Sequence, residues 1–119
     1  MKKQQRQQTL DKYDGHCAYC GEGIDLKSMQ VDHIRSQRNF YFGRRNEIPD
    51  YDVGDVQNLN PSCRKCNNFK TGMSLEEFRG ELQRQVERAR LRSVNFRMAE
   101  KYGQIQVKEG PIKFYFEKL

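Results

Sequence analysis

Four cysteines in two pairs, Cys17-Ala18-Tyr19-Cys20 and Cys63-Arg64-Lys65-Cys66, constrain this chain more than any other feature. Two Cys-x-x-Cys pairs across a domain-sized interval are the usual supply of four thiolates for one tetrahedral zinc ion. A redox dithiol explains one such pair but gives no reason for a second. Turn chemistry surrounds the first pair, with Asp14-Gly15 before it and Gly21 after it. The charged start, Met1-Lys2-Lys3-Gln4-Gln5-Arg6, leads into no apolar segment, so no secretory signal is read and a reducing, cytoplasmic setting is expected. Four sulfurs leave no open coordination position, which makes the expected zinc structural. It is also needed: of 119 residues 35% are hydrophobic and 32% charged, a thin supply for a core. Closing the chain around a metal contributes folding free energy directly. No apolar run is long enough to cross a bilayer, so no membrane partner is expected.

Between the pairs, Gln30-Val31-Asp32-His33-Ile34 reads as a short strand. The chain has two histidines, His16 and His33. His16 abuts Cys17 and is read as a solvated loop residue in preference to a spare metal ligand. Asp32-His33 alone is weak evidence, since a lone histidine is more often a satisfied core or surface group. The stretch from Asp55 to Lys70 is expected to start as a loop and end as a short helix. Pro61-Ser62 marks the helix entry and Thr71-Gly72 its exit. On that helix Cys63, Cys66, Asn67 and Lys70 stand three or four positions apart and share a face. A metal on the cysteines would then aim Asn67 and Lys70 from a rigid base.

Cys-x-x-Cys, then Asp32-His33, then Asn58-Leu59, then Cys63-x-x-Cys66-Asn67-x-x-Lys70 closely resembles the HNH endonuclease family, with its ββα-metal fold. The resemblance runs from Asp14 to Gly72. It implies that His33 is the general base and that Asp32 and Asn67 hold a catalytic divalent ion, Mg2+ or Mn2+. It also implies that Asn58 fixes the loop that orients His33. Asn67 stands where the family name has its second histidine, an HNN variant also found among active members. The implied activity is hydrolysis of DNA phosphodiesters, leaving 5′-phosphate and 3′-hydroxyl ends.

Those residue types suit the chemistry. An imidazole with a reference pKa near 6.5 is fit to take a proton from water near neutral pH. One carboxylate and one amide carbonyl make a hard oxygen site for a loosely held Mg2+. Neighbours on a regular strand point to opposite faces, so Asp32 and His33 facing one metal would need a bulge or a strand end. Lys70, one turn after Asn67, is read either as a phosphate contact or as a solvated helix lysine. Arg35, Arg38, Arg44 and Arg45 are interleaved with Phe40, Tyr41 and Phe42. That pattern suits nucleic-acid contact. It equally suits core aromatics beside solvated arginines.

After Gly72 the character changes. Ser74-Leu75-Glu76-Glu77 reads as a capping box, and Leu75, Phe78, Leu82, Val86 and Ala89 mark one helical stripe. Val94, Met98 and Tyr102 continue it, or a second helix starts near Ser93, with Gly103 as a stop. The arginines of this region alternate with glutamates, which favours a salt-bridged face over a DNA-binding one. Charge agrees: residues 1–73 hold 12 basic and 9 acidic groups, residues 74–119 hold 10 and 7, so each part is net +3. Gln104 to Val107 and Ile112 to Phe116 alternate like a hairpin.

The expected fold is therefore α+β: a zinc-stabilised ββα-metal core (14–72), followed by a helix and a C-terminal β-hairpin (73–119), within one domain (1–119). The expected partner is DNA, double-stranded, with a protein partner or homodimer left open. The competing readings are a non-catalytic zinc-stabilised nucleic-acid-binding module and a zinc-bound protein-interaction module. A pure binder has no need to place Asp32, His33, Asn58 and Asn67 in this way.

Overall fold

The computed structural model describes residues 2–34 and 55–119. The expectations for Arg35, Arg38, Arg44, Arg45 and the neighbouring aromatics lie outside the described residues. The described residues form two compact units. One holds the residues up to 75 with Phe114–Leu119, and the other spans Glu76–Lys113.

The first unit starts with helix α1, Lys3–Asp11. Its Gln, Lys, Arg and Leu side chains lose little rotamer freedom in a helix. The Arg6 guanidinium donates to the carbonyls of Leu26 (2.6 Å) and Met29 (3.2 Å), tying α1 to the segment that enters the sheet. Strands β1 (Gln30–His33) and β2 (Leu59–Ser62) pair antiparallel, in the register Gln30↔Ser62, Val31↔Pro61, Asp32↔Asn60 and His33↔Leu59. A single 3-10 turn, Val56–Asn58, precedes β2, and helix α2 (Arg64–Lys70) follows it. This is the strand, strand, helix order that the resemblance implies. The Asp32–His33 backbone shows no bulge. The pairing runs regularly through it, and His33 simply ends the strand. Pro61 is tolerated because a two-stranded sheet has free edges. Its carbonyl accepts from the Ala18 N–H at 2.8 Å, which docks the first cysteine pair on β2.

Tyr19, Met29, Leu59 and Phe114 are buried at the centre of this unit. The Tyr19 ring meets Phe114 edge-on at 5.2 Å, and Phe114 stacks on Phe116 at 5.9 Å. Gly21 has a φ of +81°, and a Cβ there would lie 2.8 Å from a ring carbon of Tyr115. Only glycine fits both conditions.

The second unit carries α3 (Leu75–Gln83), α4 (Gln85–Arg92) and α5 (Val94–Lys101). The stripe is thus divided at Arg84 and again at Ser93, whose hydroxyl accepts from the Phe96 N–H at 3.0 Å and starts α5. Gly103, with a φ of +73°, follows its end. Glu81 pairs with Arg84 (2.8 Å) and Arg88 (2.6 Å), and Arg90 pairs with Glu100 (2.7 Å), the salt-bridged face that the alternating charges suggested.

The expected C-terminal hairpin is not formed. Residues 104–114 contain no strand, and a 3-10 turn, Tyr115–Lys118, closes the chain. The backbone groups a hairpin would pair are taken elsewhere. The Gln83 side chain binds Ile112 N–H and Gly110 O, and Arg79 donates to Ile112 O at 2.7 Å. The Tyr115 and Phe116 N–H groups donate to the carbonyls of Tyr19 and Ala18. Alternation reported the burial of Phe114 correctly but not the strand partner. Among the described residues no helix is long and apolar enough to cross a membrane.

Candidate metal centre and active site

The two cysteine pairs converge. All four sulfurs, from Cys17, Cys20, Cys63 and Cys66, lie within 4.8 Å of one another, and Cys20 Sγ is 3.7 Å from Cys63 Sγ. Cys63 caps α2, its sulfur accepting from the Cys66 N–H at 3.4 Å, so one pair straddles the first turn of the helix. The other sits in a turn held by Cys17 N–H to Glu22 O (2.7 Å) and Gly21 N–H to Cys17 O (3.0 Å). The crowding leaves its mark on the protons. A hydrogen bond from Cys66 holds the Cys17 thiol down at about 4, while burial pushes Cys20 up to about 11. The same bond to Cys17 drives Cys66 upward. Four thiolates this close repel strongly unless a cation stands among them. Soft sulfur donors in a closed set of four fit a metal such as zinc.

The strand register turns Asp32 inward and His33 the other way. Asp32 is 3% exposed, and His33 is half-buried at the strand end. The Lys70 ammonium, fully buried, lies 3.1 Å from Asp32 Oδ2 and 3.2 Å from Oδ1, and donates to the His33 carbonyl at 3.3 Å. The Tyr19 hydroxyl donates to Asp32 Oδ2. Asn60, opposite Asp32 in the register, donates to the Tyr19 hydroxyl at 3.3 Å. Lys12 completes the run, its ammonium reaching Asn60 Oδ1 at 3.2 Å and Leu59 O at 2.9 Å. Among the described residues no buried side-chain nitrogen or oxygen lacks a partner. Burial pushes the Asp32 carboxyl above the usual carboxylate range, against the pull of Lys70 and Tyr19. Burial also holds the His33 imidazole below its ordinary value, with Asp32 opposing and Lys70 reinforcing.

Asn58 ends the 3-10 turn, buried, and its carbonyl accepts from the Ile34 N–H at 2.8 Å, one residue beyond His33. Asn67 is half-buried on α2, one turn ahead of Lys70. His16 is half-buried rather than solvated, 5.3 Å from the Tyr115 ring with Nδ1 3.2 Å from Tyr13 O.

Two sequence expectations change. Lys70 is not a solvated lysine, because its ammonium is buried and paired with Asp32. Nor does Asp32 fit a divalent ion in this arrangement: it is enclosed, and the Lys70 ammonium already stands against both its oxygens. Tyr19, Asn60 and Lys12 were not singled out from the sequence. The one signal was positional, since Tyr19 lies inside the first Cys-x-x-Cys and Asn60 lies two residues after Asn58.

Residues 17–72 match the family model described as HNH endonuclease. No curated protein matches the chain. Among solved structures the chain is similar to the crystal structure of the Type II-C Cas9 enzyme from Actinomyces naeslundii, at 19% identity and a TM-score of 0.49. That alignment covers 90% of this chain and 13% of the length of the Cas9 chain. The matched segment contains both cysteine pairs, Asp32-His33, Asn58 and Asn67, and it is in these 56 of 119 residues that the chain is similar to the HNH endonuclease family.

Proposed function

We propose that this protein is an endonuclease that hydrolyses DNA phosphodiester bonds, with His33 as the general base that activates water. The observation that carries the reading is the state of His33. It ends β1 inside the matched segment, and burial holds its imidazole below its ordinary value, which favours the neutral form that can accept a proton. In hydrolysis of a phosphodiester, His33 takes a proton from the attacking water, the new P–O bond forms, the bond to the leaving oxygen breaks, and that oxygen takes a proton from solvent water to become a hydroxyl. The short hydrogen bond from Ile34 N–H to Asn58 O supports Asn58 as the residue that holds the backbone beside His33. The four cysteines would hold a structural zinc, which joins the first knuckle to α2 and supplies no chemistry to the phosphate.

A divalent ion such as Mg2+ or Mn2+, expected on Asp32 and Asn67 from the resemblance, would stabilise charge on the phosphate. With Lys70 in place the donor set does not accommodate it on Asp32, and no step is assigned to it. Double-stranded DNA is the substrate proposed, consistent with the net charge of +6.

The test is incubation of the purified, zinc-loaded chain with supercoiled plasmid, with and without Mg2+ or Mn2+, beside the His33→Ala variant. Relaxation or linearisation by the wild type, lost in a variant that folds and binds zinc equally, supports the assignment. Plasmid binding without cleavage would favour a non-catalytic nucleic-acid-binding module. Equal cleavage by both proteins would remove His33 from its role.

A further inference from the structure

The apolar stripe read along residues 75–102 is buried near its start and left in water at its end. Phe78 is buried, whereas Val94 is 62% exposed, Met98 44% and Tyr102 72%. These three stand four positions apart, so they form one row along α5. The opposite side of the helix is already packed: Phe96 and Ala99 are half-buried, and Glu100 pairs with Arg90 of α4 at 2.7 Å. Arg97 and Lys101, both exposed, form a second row, three positions after Val94 and Met98. Glu81 and Glu100 neutralise Arg84, Arg88 and Arg90, but among the described residues no carboxylate pairs with Arg97 or Lys101. Arg97 gives one N–H to the Arg90 carbonyl at 2.7 Å, a bond that leaves its charge uncompensated. Thus α5 presents a row of apolar side chains with a row of uncompensated cations beside it.

We propose that this face of α5 docks an acidic amphipathic helix of a partner protein, whose apolar row lies on Val94, Met98 and Tyr102 and whose carboxylates meet Arg97 and Lys101. Charge and burial select this occupant. The apolar row needs a surface that leaves water with it, which a phosphate backbone is not. Residues 74–119 hold 10 basic and 7 acidic groups, net +3, so a second copy of this chain would bring like charge to like. An anionic lipid surface satisfies the cations, yet three apolar side chains on a helix of 8 residues offer it little to bury. A partner helix matches both rows at the same four-residue spacing. Methionine adapts its shape to such a partner, and tyrosine adds contact area at a small cost in rotamer entropy. The face lies outside residues 17–72 and owes nothing to the nuclease reading, so each stands or falls alone.

The test uses the full, zinc-loaded chain and a labelled synthetic helical peptide, read by fluorescence anisotropy. The peptide carries leucine at every fourth position and glutamate three positions after each leucine; the same peptide with lysine for every glutamate is the control. The glutamate peptide should bind in the micromolar range and the lysine peptide about tenfold more weakly or worse. Arg97→Glu combined with Lys101→Glu should invert that preference. Val94→Gln combined with Met98→Gln should weaken the glutamate peptide about tenfold at unchanged net charge. All of these positions are exposed, so the variants should keep the wild-type helix content in circular dichroism. No binding of the glutamate peptide, equal binding of both peptides, or binding that neither variant alters would overturn the proposal. So would a phosphatidylglycerol vesicle or a DNA duplex that binds the wild type and is lost in Val94→Gln with Met98→Gln, since the face would then belong to lipid or nucleic acid.

Discussion

Replacing Lys70 by methionine isolates the energetics of the buried ion pair. The substitution keeps an unbranched side chain in the interior but, among the described residues, leaves the Asp32 carboxylate with the Tyr19 hydroxyl as its side-chain donor. Removing one partner of a buried pair costs about 3–5 kcal/mol. There is a ceiling, because Asp32 can escape by taking up a proton. For a carboxyl whose unfolded pKa is about 3.9, protonation at pH 7 costs about 4 kcal/mol, at 1.36 kcal/mol per unit. Loss near that ceiling corresponds to a Tm about 15 °C lower for a chain of this size. The sign of the pH dependence follows. In the variant the folded pKa of Asp32 rises further above its unfolded value, so the folded state binds a proton the unfolded chain lacks. The variant's deficit should then grow by up to about 1.4 kcal/mol for each unit of pH rise between 6 and 8. Urea unfolding of zinc-loaded protein at several pH values measures it directly. Asp32→Asn combined with Lys70→Met leaves no charge unpaired, and should fall within about 1–3 kcal/mol of wild type. A Lys70→Met protein within about 1 kcal/mol of wild type at pH 7, with no pH trend, would match an exposed pair and refute the buried placement.

Three further outcomes are expected. Stripping the metal with a chelator should unfold the knuckle–sheet–helix unit, seen as loss of Tyr19 environment in near-UV circular dichroism, and zinc should restore it. Gly21→Ala should destabilise by about 1–3 kcal/mol in chemical denaturation, since the new methyl meets the Tyr115 ring in a left-handed backbone conformation. A pH–rate profile of plasmid cleavage should keep its plateau below the ordinary imidazole pKa of about 6.5 before falling on the acid side. Burial holds His33 down, so it stays a free base where an exposed histidine would already be protonated.

Much of the site was legible because its signals are local. Cysteine spacing named the four sulfurs that converge, and the i, i+3 relation of Cys63 to Cys66 placed one pair on a helix start. Val31 and Ile34 marked a strand that runs Gln30–His33. What local pattern could not supply was depth. The sequence Asn67-Asn68-Phe69-Lys70 reads identically whether its lysine ends in water or under the sheet. The difference lies in Asp32, 38 residues away. The hairpin failed for the same reason: alternation in Ile112, Phe114 and Phe116 is a statement about which side chains are buried, not about which backbone they pair with. Here the partners were the Gln83 and Arg79 side chains and the carbonyls of the first knuckle.

The cysteine cluster and the catalytic candidate are joined by more than proximity in sequence. Tyr19 belongs to the first Cys-x-x-Cys turn, and its hydroxyl holds Asp32; Lys70 belongs to the helix that Cys63 and Cys66 begin, and its ammonium holds Asp32 and the His33 carbonyl. A shift of either knuckle therefore moves the backbone on which His33 sits. Asn60 braces the same network from β2 and Lys12 from the residue that follows α1, so β1, β2 and α2 each supply a side chain to it. A site supported in this way tolerates a thin hydrophobic core. The directional bonds that fix His33 are satisfied inside the fold, and a metal on the four cysteines would fix the two elements that donate most of them.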